Sequence, residues 1–197
     1  MKMQTLLLSL AVLPIGIASA QINIPILNPL FDADQLSCTA GTLTCWVPGA
    51  TGWLAGPQTG VEKVSMAQYP SLPPAGLNVM AIGYTNTTGS MVQTLGATVE
   101  ANTTYVLQIS LGARADVPFT GYDAELMAAN VILASGHKVI SLPGTFATDV
   151  IVYNSGAHPA QSGKPIQILV KSLGTGQVNV ASVSLTATAE NPSQMPI

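Results

Sequence analysis

Between Tyr105 and Leu111 apolar side chains occupy alternate positions, Tyr105, Leu107, Ile109 and Leu111, with polar Gln108 and Ser110 between them. A period of two is a β-strand with one face buried. Tyr122, Ala124 and Leu126 repeat the pattern against Asp123 and Glu125. Two half-buried strands in succession require an antiparallel sheet with a covered inner face, and the rest of the chain must supply the cover. Further strands are expected over 22–27, 61–66, 78–84, 90–95, 131–134, 145–153, 165–170 and 177–187. Val178 and Val180 share one phase of the last strand while Val183 and Leu185 share the other. A change of phase needs one extra residue, so a bulge is expected near Ala181–Ser182. Ala128-Ala129-Asn130 reads as a tight turn, and 56–76, with Pro57, Gly60, Pro70 and Pro73-Pro74, as a long surface connection enclosing one short strand. No segment has a helical period. About nine to eleven short strands separated by turns specify an all-β, two-sheet antiparallel β-sandwich of jelly-roll type.

The chain has 197 residues, enough for one domain with a sizeable core. Lys2, the apolar run 6–17 and Ala18-Ser19-Ala20 have the pattern of a cleaved signal peptide. The domain is then expected over 21–189, with a frayed tail at 190–197 and no membrane span after cleavage. An exported chain meets an oxidising environment, and Cys38 and Cys45 are expected to form a disulfide. Charged residues make up only 8% of the chain, and Arg114 is the sole arginine, which excludes nucleic-acid binding by a basic patch.

Asn28-Pro-Leu-Phe-Asp32, Pro48-Gly-Ala-Thr-Gly-Trp53, Asn78-Val-Met-Ala-Ile82, Ala101-Asn-Thr-Thr-Tyr-Val-Leu107 and Gln177-Val-Asn-Val-Ala-Ser-Val-Ser-Leu185 fall in the order found in jelly-roll modules of the galactose-binding-like, carbohydrate-binding fold. The chain resembles exported bacterial proteins of that fold associated with PEP-CTERM anchors, but its ending, Asn191-Pro-Ser-Gln-Met-Pro-Ile197, has no apolar anchor. The resemblance implies a structural calcium ion near Asp32 and Asp34. Ala181 stands where the last-strand aspartate of such sites would be, so a set of six to eight oxygens is hard to assemble, and no cofactor is expected.

Sugar-binding modules stack exposed aromatic rings on pyranose faces. Tyr69 and Tyr84 are the expected exposed rings, whereas Trp53 is expected in the core and Trp46 against the disulfide. Arg114 and Asp116 form a candidate polar clamp for a ligand; the competing reading is an Arg–carboxylate pair tying a loop to the sandwich, with Asp116, Asp123 or Glu125 as partner. His137 and His158 read as surface loop residues, Asp123 and Glu125 as the solvent face of a strand, and the sequons at Asn86 and Asn102 as turn residues. No nucleophile elbow is present. The resulting expectation is a secreted, non-catalytic binding module for carbohydrate or another extracellular polymer. The alternative is a structural or assembly protein of the cell surface or matrix, with protein partners and no small ligand.

Overall fold

The computed structural model describes residues 20–38, 45–71, 73, 76, 78–83, 88–137, 140, 142–174 and 176–190. Residues 1–19, Tyr84, Asn86 and the tail from Asn191 lie outside the described residues. Twelve strands, numbered in chain order, form two antiparallel sheets among the described residues. The larger sheet runs β10 (Thr145–Asn154), β7 (Thr103–Ala113), β12 (Val178–Ala189), β5 (Asn78–Ile82), β4 (Thr59–Lys63) and β2 (Trp46–Pro48), with β1 (Gln21–Ile24) pairing the end of β12 beyond β5. The smaller runs β3 (Leu54–Ala55), β6 (Ser90–Thr98), β11 (Pro165–Ser172), β8 (Tyr122–Ala128) and β9 (Val131–Gly136).

The alternation in the sequence sets which residues meet between the sheets. Tyr105, Leu107, Ile109 and Leu111 of β7 are buried in one cluster with Tyr122, Ala124 and Leu126 of β8 and Ile166, Ile168 and Val170 of β11. Each large apolar side chain so buried contributes about 1.5–3 kcal/mol. The two residues between β8 and β9, Ala129 (φ 48°) and Asn130 (φ 63°), are both left-handed, as a two-residue hairpin turn matching the strand twist requires. The expected phase change in β12 is present: Val180 pairs Leu111 and Ser182 pairs Ser110, leaving Ala181 as the extra residue. Val178, Val180, Val183 and Leu185 therefore all face the core.

The structure departs from the sequence reading at two places. The strand placed in a surface connection is Thr59–Lys63, and four of its five residues are buried. It lies between β5 and β2, and Gln68 and Tyr69 in the segment after it are buried, while Pro57, Pro70 and Gly76 are exposed as a surface connection requires. In β10 the apolar Val150 and Val152 face outward and are exposed, while Asp149 and Ile151 are buried and Asp149 Oδ2 accepts a hydrogen bond from Tyr122 Oη at 2.9 Å.

Cys38 and Cys45 are bonded. The bridge fits folding in an oxidising compartment, and no helix among the described residues is long and apolar enough to cross a membrane. Closing a loop with a sequence separation of 7 restricts the unfolded chain and stabilises the fold by about 2–3 kcal/mol. Reduction, or Cys38→Ser with Cys45→Ser, is expected to lower Tm by about 5–10 °C in a calorimetric scan; an unchanged Tm would show that the bridge adds nothing.

Candidate functional site

Charged side chains are scarce in this chain, yet two of them are buried with several amides on the outer face of the larger sheet. Glu62 of β4, Asn179 of β12, Gln177 just before β12, Arg114 just after β7 and Gln68 in the segment following β4 are each less than a tenth exposed. Arg114 Nη1 lies 2.9 Å from Glu62 Oε1. Gln68 Nε2 donates to the same oxygen at 2.7 Å, and Gln177 Nε2 donates to Glu62 Oε2 at 2.7 Å. The other edge of the guanidinium grips Asp116 with two parallel bonds, Nε to Oδ1 at 2.8 Å and Nη2 to Oδ2 at 2.7 Å. Gln177 then links Arg114, which it accepts from at 3.3 Å, to Asn179 Oδ1, to which it donates at 2.6 Å.

An aromatic pair closes this cluster. Gln68 and Tyr69 both donate their backbone N–H to Ser65 O, and Ala115 N donates to Gln68 O, which fastens the segment across the sheet. Tyr69 then lies on Phe146 of β10, with ring centroids 4.3 Å apart and planes 32° from parallel. Gly112 makes the approach possible: a Cβ there would stand 2.5 Å from Phe146 Cε1 and 2.8 Å from Tyr69 Oη. Val64, Val79 and Ala181 complete a small apolar cluster with these rings. The expectation of an exposed Tyr69 is thus corrected: its ring is fully buried, because the bare backbone of Gly112 admits it.

Two buried atoms in this cluster, the Tyr69 hydroxyl oxygen and Asn179 Nδ2, make no hydrogen bond of full geometry; they face each other, and a weak bond from the Asn179 side chain to Tyr69 partly offsets the rise in its pKa. Burial first, then the Glu62 charge, raise the Tyr69 pKa well above the usual tyrosine range, so the phenol stays a donor. Burial alone would lower the Arg114 pKa; the hydrogen bond to Asp116 and the Glu62 and Asp116 charges outweigh it and hold the guanidinium above its ordinary range. The Arg114 hydrogen bond holds the Asp116 carboxyl below the usual carboxylate range, against its partial burial.

The other sequence candidates sit elsewhere. Asp123 and Glu125 do not reach Arg114; both lie against Lys171 Nζ, at 3.7 and 2.6 Å. Trp53 is buried against Phe31, Trp46 is partly exposed with its ring over Gly60, and His137 and His158 are exposed. Asp34 accepts from Asn28 Nδ2 at 2.7 Å and Thr51 Oγ1 at 2.8 Å. Asn78 Nδ2 donates to the carbonyls of Phe31 and Asp34, both at 3.1 Å, so amide and hydroxyl donors hold the loop that the resemblance assigns to calcium. Among the described residues no group of three or more His, Cys, Asp or Glu is placed to hold a metal ion. Two open cavities, a groove of about 490 Å³ over Leu54, Val92 and Gln167 and a depression of about 350 Å³ beside Trp46, are lined by no titratable side chain.

Sequence reasoning singled out Tyr69, Arg114 and Asp116 but missed Glu62, Gln68, Gln177, Asn179 and Phe146. A signal was present: a lone arginine in a chain with so few charges demands a carboxylate, and Glu62 is the one polar residue between Val61 and Val64 that falls in the outward phase.

Solved structures of the same fold include the Stig cyclase Fisc from Fischerella sp. TAU in complex with (3Z)-3-(1-methyl-2-pyrrolidinylidene)-3H-indole, which is 21% identical, with a TM-score of 0.77 over 87% of this chain and 100% of that one. A cyclase from the same organism in complex with 4-(1H-indol-3-yl)butan-2-one is 23% identical, with a TM-score of 0.73 over 86% and 100% of the two chains. The carbohydrate-binding module TmCBM61, in complex with β-1,4-galactotriose, is 12% identical, with a TM-score of 0.52 over 82% and 97%. The jelly-roll resemblance therefore holds at the level of the fold, and nothing links the chain to PEP-CTERM proteins. No curated protein sequence matches this chain. The HpiC1-like family model, described as HpiC1 cyclase, matches residues 22–186. That match overturns the expectation of a non-catalytic module and its structural alternative, and with them the expected glycan or polymer partner. The error arose because the motifs behind the resemblance are strand and turn residues, which cyclases and sugar-binding modules of one fold share. By the extent of that match, the chain belongs to the HpiC1-like cyclase family.

Proposed function

We propose that this chain is a ring-closing enzyme for a small, aromatic, largely apolar molecule, and that its chemistry takes place at Tyr69, Asn179 and Glu62, with Arg114 positioning Glu62. The observation that carries this reading is a pair of buried donors without full hydrogen bonds, the Tyr69 hydroxyl and the Asn179 amide, which touch only each other, beside an ion-paired carboxylate. Such atoms cost about 1–3 kcal/mol each in stability, and groups held at that cost concentrate where a ligand completes them. The family match supports the reaction class, and the two solved cyclases that hold indole compounds support the substrate class.

Ring closure by an acid-assisted route builds positive charge on carbon. Glu62 supplies a fixed negative charge, and the Tyr69 and Phe146 ring faces supply negative quadrupoles against that charge. Tyr69, kept protonated, and Asn179 donate to the substrate. Arg114, Gln68 and Gln177 position Glu62 and do not touch the reacting atoms. Since Tyr69 and Asn179 are fully buried, a ligand reaches them when the turn carrying Tyr69 lifts from Gly112. The pattern around Ala18-Ser19-Ala20 and the Cys38–Cys45 bridge support an exported enzyme.

The test is turnover of indoles bearing an unsaturated side chain, followed by chromatography and mass spectrometry. The expected result is a ring-closed product with the full chain and at least a tenfold loss with Glu62→Gln. Turnover unaffected by Glu62→Gln or Tyr69→Phe would place the chemistry elsewhere.

A further inference from the structure

Counting donors and acceptors in the buried cluster shows what its ligand must bring. The Glu62 oxygens are occupied by Arg114, Gln68 and Gln177. Four of the five Arg114 donors are taken by Glu62, Gln177 and Asp116. Gln68 Oε1 accepts from Ser65 N at 2.8 Å, and Asn179 Oδ1 accepts from Gln177. Asn179 Nδ2 and the Tyr69 hydroxyl remain. The amide nitrogen has two hydrogens and no lone pair to offer, and the hydroxyl has one hydrogen. Were the amide to donate one hydrogen to Tyr69 Oη, an amide hydrogen and the hydroxyl hydrogen would still lack a receiver. The cluster therefore lacks an acceptor.

Charge narrows the choice further. Glu62 and Asp116 face the single cation Arg114, which leaves the cluster negative and repels an anion. A cation would bring no lone pair. The residues packed around them are Phe146, Val64, Val79 and Ala181, so the body of a ligand seated there must be apolar.

We infer that the ligand presents a neutral carbonyl oxygen, attached to an aromatic apolar frame, to the Tyr69 hydroxyl and the Asn179 amide. This rests on the reading that the ring-closing site is this cluster. Four probes of nearly equal shape test it by titration calorimetry on the full chain: 4-phenylbutan-2-one, butylbenzene, 3-phenylpropanoate and protonated 4-phenylbutan-2-amine. The ketone is expected to bind about tenfold more tightly than butylbenzene, with no saturable binding of the anion or the ammonium. Tyr69→Phe and Asn179→Ala, each checked for native circular dichroism, should reduce the ketone's advantage to about twofold or less, and Phe146→Ala should weaken ketone and hydrocarbon alike. Equal binding of ketone and hydrocarbon, both weakened by Phe146→Ala, would overturn the carbonyl inference and leave the site in place. Binding untouched by all three variants would overturn the site itself. Absence of ketone binding would also overturn the inference.

Discussion

Glu62→Ala is expected to destabilise the fold by about 3–5 kcal/mol, the range for breaking one side of a buried ion pair. Three donors converge on this carboxylate within 2.9 Å. Its removal leaves Arg114 held on one side only by Asp116, whose side chain is about half exposed (49%), and strands amide hydrogens of Gln68 and Gln177. Alanine supplies no acceptor, and the covering turn keeps water out. In a domain of this size the loss corresponds to a drop in Tm of roughly 10–15 °C. The companion Glu62→Leu with Arg114→Met removes both charges and should recover most of the loss, because an apolar pair of similar volume avoids the desolvation cost. Thermal melts of the single and double variants decide the matter. A single variant within about 1 kcal/mol of the parent would mean that water reaches the cluster.

Tyr69→Phe is expected to move stability and activity in opposite directions. The hydroxyl is buried with no acceptor for its hydrogen and only a weak bond from Asn179, so deleting it removes a desolvation cost of about 1–3 kcal/mol while the ring keeps its stack on Phe146. Tm should rise by about 2–6 °C. The same change deletes a donor aimed at the substrate, and removal of one such donor typically costs about 100-fold or more in rate. Stabilisation accompanied by lost turnover is the signature of a residue kept for function. A variant that loses both would show that the hydroxyl has a structural partner, and one that keeps its rate would remove Tyr69 from the mechanism.

The framework was readable because its determinants are local. The alternation from Tyr105 to Leu111, the Ala129–Asn130 turn and the phase change at Ala181 each depend on residues within a few positions of one another, and each occurs in the structure. The site is assembled from Glu62, Arg114 and Gln177, which meet across sequence separations of 52 and 63, and periodicity is silent on contacts of that kind. Tyr69 was misread for a related reason. Its proline-rich setting reads as surface, whereas its burial depends on a glycine in a distant strand. The disulfide was legible from the cysteine count and the expectation of export. The function was misjudged because a catalytic constellation was sought in serine, histidine and paired carboxylates, while the cluster proposed as the site consists of a tyrosine, amides and one arginine paired with two carboxylates.

The extra residue in β12 has a consequence for how this fold can vary. Ala181 stands between the Val180–Leu111 and Ser182–Ser110 pairings and has no partner of its own. Excising it would bring those two rungs together with every other rung, and every inward side chain, already in place. Loss of one residue from a central strand ordinarily throws its side chains onto the wrong face; here the inward faces would stay as they are, and the loss would fall on the small cluster that Ala181 shares with Tyr69. What the insertion does change is the local bend of the strand, two residues from Asn179, so length variation at this point can re-aim that amide while the core between the sheets keeps its pattern.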